Sequence, residues 1–158
     1  MKKLILTMSL LSLAIAEVHA ADVFTDAVKA GKATFQVRPR FEFVDDDGAA
    51  AADPAKAFIV RTVLGYKLAP IAGITAYAEA EDIRALVDDY NVPAVQPNAK
   101  YATVVDPEST AVNQAWLAGY GFKVGKQKMV YNNARFIGDV GFRQDDQTFT
   151  AISYEKAK

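Results

Sequence analysis

The chain has 158 residues, a formal net charge of −1 at pH 7 and no cysteine. This charge balance excludes the strongly basic footprint that is typical of nucleic-acid-binding domains, so we expect no nucleic-acid partner. The absence of cysteine excludes disulfide crosslinks and thiol nucleophiles.

The first 20 residues have the pattern of a cleaved signal peptide. Two lysines precede an apolar stretch at 4–16, and Val-His-Ala at 18–20 provides a small-x-small cleavage site. The apolar stretch is shorter than the roughly 20 residues that a spanning helix needs. We therefore interpret residues 1–20 as a secretion signal, and we expect the mature protein to comprise residues 21–158.

Cleavage of the signal would remove His19, the only histidine of the chain. A mature chain without histidine and cysteine lacks the ligands of the usual zinc sites and cannot form a Ser-His-Asp triad. Carboxylate pairs such as Glu79 and Glu81 have no further catalytic partner in the pattern. We therefore predict that the protein is not an enzyme and carries no metal or cofactor.

The mature chain begins with a predicted helix and continues as a strand. Residues 22–32 place apolar side chains on one helical face, with Gly31 as a C-cap. From Thr34 to Val44 apolar and polar residues alternate strictly, which predicts a strand that is wet on one face. One face carries Phe35, Val37, Pro39, Phe41 and Phe43; the other carries Thr34, Gln36, Arg38, Arg40 and Glu42.

Five further segments alternate in the same way, at 57–68, 74–85, 113–118, 122–131 and 147–156. In the second strand, Phe58, Leu64 and Tyr66 oppose Arg61 and Lys67. The segment 74–90 also fits a helix, because Ile83, Leu86, Val87 and Tyr90 have helical spacing. We favour a strand there because its neighbours are strands.

The connections between these strands alternate in length. Long connections follow the first, third and fifth strands, and short ones follow the second and fourth, so every long loop lies at one end of the sheet. Transmembrane β-barrels have this asymmetry, whereas soluble sandwiches mix loop lengths more freely. The predicted fold is an all-β, antiparallel transmembrane β-barrel, present in part as about six strands.

Seven charged residues of these strands fall on the face opposite the apolar one. In a barrel that face lines a water-filled lumen, where fixed charges filter solutes by sign and size; on a soluble sheet it is the solvated surface. Both interpretations remain open. The candidate pore-lining residues are Arg38, Arg40, Glu42, Arg61, Lys67, Glu79 and Glu81.

Three stretches resemble Gram-negative outer-membrane porins of the alginate-export type. They read AVKAGKATFQVRPRFEFV, AYAEAEDIRAL and NQAWLAGYGFKVGKQKMVYNNARFIGDVGFRQDDQTFTAIS. The most specific part runs from Gly125 to Thr150 and is similar to that family's G-R-Q strand, its R-F-x-G-x-x-G-W-R-Q loop and its T-F-D strand. The chain departs from this pattern at Lys126, Phe142 and Thr150.

The resemblance implies that the loop RFIGDVGFRQDDQTF, residues 135–149, folds near or into a pore mouth. Glycines at 138 and 141 would permit a tight path. Arg135 and Arg143 are the candidate pore-loop residues, since a fixed guanidinium can bind carboxylates in a bidentate manner. The alternative is that both arginines pair with acidic residues of the same loop, at 139, 145 and 146, and only brace it.

The resemblance also implies location and partners. We expect an outer-membrane channel that contacts lipid and passes small anionic or sugar-like solutes, with export of an anionic polysaccharide as one form of that function. Closed single-chain barrels have at least about eight strands, so we interpret the chain as the N-terminal part of a larger barrel, which could form a homo-oligomer. The alternative function is a soluble periplasmic β-rich binding module.

Overall fold

The computed structural model describes residues 21–46 and 53–155, and the predicted signal peptide lies outside them. Helix α1 spans residues 21–29. The rest of the regular structure is one antiparallel six-stranded sheet, in which the strands are neighbours in chain order and which does not close into a barrel. The strands are β1 (Lys32–Val44), β2 (Ala55–Lys67), β3 (Ile74–Asp89), β4 (Ser109–Gly119), β5 (Phe122–Gln127) and β6 (Phe149–Tyr154). The predictions of an all-β chain, of about six strands and of a short N-terminal helix are confirmed.

The register of the first two strands confirms the predicted division of faces. Phe41 stands opposite Phe58, and Arg38 stands opposite Arg61. Because side chains alternate along each strand, Phe41 and Arg38 lie on opposite faces. We call the face that carries Phe41 the apolar face and the face that carries Arg38 the polar face.

The segment that fitted both a helix and a strand is β3, and it runs four residues beyond the predicted end at Ala85. It pairs with β4 over residues 74–83 and with β2 over residues 77–89, so both of its edges are bonded along residues 77–83. Register shifts occur between Phe58 and Ile59 and between Glu79 and Ala80. Pairing with neighbouring strands therefore overrides the helical spacing of Ile83, Leu86 and Val87.

Two further predicted strand ends differ from the structure by four residues. The fifth strand ends at Gln127 rather than Tyr131, because the chain leaves the sheet at Lys128, whose ammonium pairs with Asp146. The fourth strand begins at Ser109 rather than Asn113, because residues 109–112 pair with β3. The predicted last strand residue, 156, lies outside the described residues.

The two ends of the sheet differ in the length of their connections, as the sequence predicted. The long connections follow β1, β3 and β5, and the short connections 68–73 and 120–121 lie at the opposite end. Tyr120 and Gly121 form a tight turn with φ of 53° and 85°. Positive φ at both positions matches the right-handed twist of the strands that they join.

The burial of the two faces is the reverse of that in a water-soluble sheet. On the apolar face Phe35, Phe41 and Ile152 are 69%, 65% and 72% exposed. On the polar face Arg61 and Glu81 are buried. Further exposed residues of the apolar face are Val37, Phe43, Leu64, Val112, Leu117, Phe122, Val124 and Tyr154.

A small apolar core fills the polar-face side of the sheet at its long-loop end. Here the connection between β3 and β4 folds back onto β2 and β3. The core residues are Ala55, Ala57, Ile59, Ile83, Tyr90, Val92, Ala102 and Val104. The same face of β2 therefore changes from apolar at Ala55–Ile59 to charged at Arg61.

Helix α1 packs against the short-loop end of β2 through few contacts. Ala27 is buried, and its carbonyl accepts a hydrogen bond of 3.1 Å from the Ala69 N–H. The Tyr66 hydroxyl donates to the carbonyl of Val28. Among residues 21–46 and 53–155, no helix is long and apolar enough to cross a membrane.

Candidate functional site

The centre of the polar face is a buried ion-pair network. Arg61, midway along β2, bonds Glu81 of β3 through Nε and Asp146 through Nη2. Lys128 also pairs with Asp146. The strand register places Glu81 opposite Val63, diagonal to Arg61 on the same face, whereas Asp146 comes from the connection between β5 and β6. That connection, residues 128–148, crosses the polar face, and we call it the cover segment.

Gln144 anchors the cover segment to the sheet. Its side chain is fully buried, and its Nε2 donates to the carbonyls of Arg38 and Ile59, both at 3.1 Å. Its backbone N–H donates to Oδ1 of Asp106 at 2.9 Å. A single residue thus joins β1, β2 and the β3–β4 connection.

Two arginines of β1 bind the backbone of the cover segment. Nη1 of Arg38 donates to the carbonyls of Gly141 and Arg143, and Nη2 donates to the carbonyl of Phe142, each at 3.0 Å. Arg40 also donates to the Phe142 carbonyl, and its guanidinium lies 4.2 Å from the centre of the Phe142 ring. The turn at 141–143 is therefore held by cations.

A second charged group surrounds Asp106, whose side chain is fully buried. Nη2 of Arg40 lies 2.5 Å from Oε2 of Glu42, and Nη1 of Arg40 lies 3.5 Å from Oδ2 of Asp106. Nη1 of Arg143 lies 3.6 Å from Oε1 of Glu42 and 3.8 Å from Oδ2 of Asp106. Oδ2 of Asp106 and Nη1 of Arg143 are buried without a hydrogen-bond partner in the described part of the chain.

Glu79 connects the network to β4. One of its oxygens accepts hydrogen bonds from Nδ2 of Asn113 at 2.9 Å and from Nε2 of Gln114 at 3.1 Å, and Nζ of Lys128 lies 4.0 Å away. The Tyr77 hydroxyl donates to the other oxygen. The carboxylates of Glu79 and Glu81 thus have separate sets of partners, apart from Asn113, whose Nδ2 lies 3.4 Å from Glu81.

The structure brings together most of the predicted pore-lining residues. Six lie in or beside the network: Arg38, Arg40, Glu42, Arg61, Glu79 and Glu81. Lys67 shares their face but is exposed nearer the short-loop end, where its Nζ lies 6.0 Å from the Trp116 ring centre.

The two predicted pore-loop arginines differ. Arg143 joins the charged group, with Glu42 and Asp106 as its partners rather than the acidic residues of its own loop. Arg135 is exposed, and its guanidinium lies 5.6 Å from the centre of the Phe136 ring.

The pKa of Tyr90, outside the strands, is raised from 10.0 to about 12, mainly because burial disfavours the phenolate. Its hydroxyl donates to the Asp106 carbonyl at 3.1 Å, so its neutral form supports the same segment that anchors Gln144. Within the residues that the structure describes, no group of three or more acidic, histidine or cysteine residues is placed to hold a metal ion.

Comparisons with known proteins found no match: no family model matches the chain, and neither does any curated protein or solved structure. The function is therefore argued from the geometry of the sheet and of its polar face.

Several residues of the network were not singled out in the sequence. Alternation predicts the apolar face for Asn113, together with Leu117, whereas the register shift between Glu79 and Ala80 lets its amide reach Glu79. Asp106 and Gln144 lie in connections, where no periodic signal exists. The sequence suggests Asp146 as a partner of the loop arginines, whereas it pairs with Arg61 and Lys128. Lys128 directly follows β5. If the alternation of β5 continued, Lys128 would lie on the apolar face, whereas its ammonium pairs with Glu79 and Asp146 on the polar face.

Proposed function

We propose that the chain forms part of the wall of an outer-membrane porin, with its apolar face toward lipid and its polar face toward an aqueous passage. The passage admits small anionic or sugar-like solutes, and export of an anionic polysaccharide is one form of this transport. The observation that carries the proposal is the reversed burial of the two faces.

The apolar face supports a lipid contact. Large apolar side chains are exposed on β1, β2, β4, β5 and β6, from Phe35 through Leu117 to Ile152. Soluble monomers rarely expose a continuous apolar patch larger than a few hundred Å². The outward-facing residues of transmembrane barrels form an apolar band of this kind.

The polar face supports an aqueous passage narrowed by the cover segment. Its charges have both signs and are fixed by ion pairs, such as that of Arg61 with Glu81. Charges fixed at a constriction discriminate among solutes by sign and size. Arg38, Arg40 and Arg143 gather beside the turn at 141–143, and this arrangement favours anionic solutes.

The open sheet requires completion. β1 and β6 each have one neighbouring strand, so each presents an unpaired edge. Unpaired backbone groups are not tolerated in the hydrocarbon region of a bilayer. We infer that further strands close the barrel, as they would if the chain is the N-terminal part of a larger porin with at least about eight strands.

The experiment uses the single tryptophan of the chain. Trp116 pairs with Tyr77 on the polar face, and Leu117 pairs with Ala76 on the apolar face. Two proteins are reconstituted in bilayers that contain brominated lipid: the complete barrel, with any tryptophan contributed by other strands replaced by phenylalanine, and its Trp116→Phe/Leu117→Trp variant. We expect bromine to quench the fluorescence of the variant strongly and that of the barrel with Trp116 weakly, because adjacent strand residues face opposite sides.

Equal quenching at the two positions would contradict the assignment of the faces. The soluble periplasmic module predicts no quenching at either position and release of the protein from cells by osmotic shock. The exposed apolar face argues against that alternative.

A further inference from the structure

The contacts of Arg38 differ from those of the other arginines on the polar face. Arg40, Arg61 and Arg143 each have a carboxylate partner. Within residues 21–46 and 53–155, Arg38 forms no ion pair with a carboxylate. Its guanidinium is half-buried, and its hydrogen bonds within these residues go to neutral carbonyl oxygens, those of Gly141, Phe142 and Arg143.

The surroundings of Arg38 do not neutralise it. Arg61 stands directly opposite Arg38 in the neighbouring strand, and its own guanidinium is committed to Glu81 and Asp146. Like charges placed opposite each other across two strands repel. A half-buried guanidinium to which the described residues supply no ion-pair partner is a site that favours an anion.

The carbonyls that Arg38 binds belong to a strained turn. Val140 has a φ of 53°, a left-handed conformation that is unfavourable for a β-branched residue. Hydrogen bonds from the Arg143 N–H to the Val140 carbonyl and from the Gln147 N–H to the Asp139 carbonyl, both 2.8 Å, close the turn. Gln144 and Asp146 are anchored separately, so the turn can open while its C-terminal side stays attached.

We propose that Arg38 is a binding site for a carboxylate anion and that the turn at 140–143 is a displaceable internal substitute for that anion. A planar carboxylate presents two charged oxygens to the fork of the guanidinium, where neutral carbonyls now bind. Binding of the anion frees the carbonyls of the turn from Arg38 and leaves the hydrogen bond from Arg40 to the Phe142 carbonyl in place; the carbonyls return to Arg38 when the anion leaves. This goes beyond the proposed transport function and rests on it only in that solutes reach the polar face from water.

The test is residue-specific hydrogen exchange, followed by NMR, on the full chain in detergent micelles. Acetate is the probe, and chloride at equal ionic strength is the reference. We expect acetate to speed exchange of the Arg143 and Gln147 amides at least about tenfold. The carbonyls of residues 141–143 lose their hydrogen bonds to the charged Arg38, so the turn that these two amides close opens more easily. The Gln144 amide, bonded to Asp106, should keep its protection.

Three variants assign the effect. Arg38→Gln should show fast exchange at Arg143 in both salts and no response to acetate. Arg38→Lys keeps the charge but lacks the planar fork, so its acetate response should be weaker than that of the native protein. Arg135→Gln makes the same chemical change on the cover segment without touching the sheet, and it should respond like the native protein.

The proposal is overturned if acetate and chloride give the same exchange rates in the native chain, or if Arg38→Gln keeps the native response. Should Arg38→Gln not fold, an unchanged response in Arg38→Lys overturns it equally. Any of these results would leave the quenching of apolar-face tryptophans, and with it the porin proposal, unaffected.

Discussion

Arg61, in the middle of β2, bonds Asp146, a residue 85 positions later in the chain, in a buried ion pair. Removing one partner of a buried pair leaves the other charge without compensation. This relationship joins the sheet to the cover segment, and it makes the stability of the polar face depend on single residues.

Replacing Arg61 by methionine should destabilise the protein by about 3–5 kcal/mol, because Glu81 and Asp146 would remain buried beside each other. Denaturant unfolding in detergent micelles measures this loss. Lys100→Met is the control, since Lys100 pairs with Asp53 at the exposed surface of the connections outside the strands and the change there should be much smaller. Equal losses in the two variants would show that the Arg61 network contributes little.

Placing a charge on the apolar face should prevent stable insertion. Phe41→Arg near the bilayer centre should cost roughly 2–4 kcal/mol, because a guanidinium must leave water there. Phe41→Leu keeps an apolar side chain and should be mild. Folding titrations into lipid vesicles compare the two variants. If both insert equally well, Phe41 does not face lipid.

The two arginines of the cover segment should differ in their effect on ion selectivity. Arg143→Gln leaves Glu42 and Asp106 with less compensation, so anion-over-cation selectivity should fall at low salt. The change should fade at high salt, because the Debye length falls from about 10 Å at 0.1 M to about 3 Å at 1 M. Reversal potentials of the complete channel in planar bilayers measure it.

Arg135→Gln is the control for that experiment, because Arg135 contacts Phe136 rather than the network. Its reversal potential should change less than that of Arg143→Gln at every salt concentration. An unchanged potential in Arg143→Gln would leave Arg143 as a purely structural contact of the cover segment.

The Tyr90 hydroxyl should ionise at an unusually high pH. Its pKa is raised to about 12, chiefly because burial disfavours the phenolate, with the nearby carboxylates of Glu108, Asp106 and Asp88 adding to the shift. A tyrosine in the unfolded chain ionises near 10.0. The stabilising contribution of neutral Tyr90 should therefore be complete below pH 10 and decline as the pH rises toward 12.

Unfolding measurements as a function of pH test this expectation. Tyr90→Phe cannot ionise, so its stability should fall less steeply over the same range, after allowance for the lost hydrogen bond to the Asp106 carbonyl. Identical pH dependence in the two proteins would contradict the assignment.

Much of the sheet could be predicted because the alternation of apolar and polar residues can be recognised within each strand alone. Alternation along a strand assigns each side chain to a face, so the separation of Phe41 from Arg38 followed from the sequence. For β3 the local signal was ambiguous, and only its pairing with both β2 and β4 decides between helix and strand.

The contacts of the cover segment could not be predicted in the same way. Alternation says nothing about which connection covers a face, so the burial of Asp106 and Gln144 had no sequence signal. Sequence proximity suggested acidic partners within the loop for Arg143. The structure gives it Glu42 and Asp106 instead, because the loop lies on β1.

The distance along the chain between β1 and the cover segment has a consequence for the order of folding. The hydrogen bonds of Arg38 and Arg40 to the turn span 102 to 105 residues. Adjacent strands pair at short range, and long loops lose more entropy on closure. We therefore expect the hairpins to form early and the cover segment to dock last. Until then the arginines of β1 remain hydrated, so their desolvation belongs to the final stage of assembly.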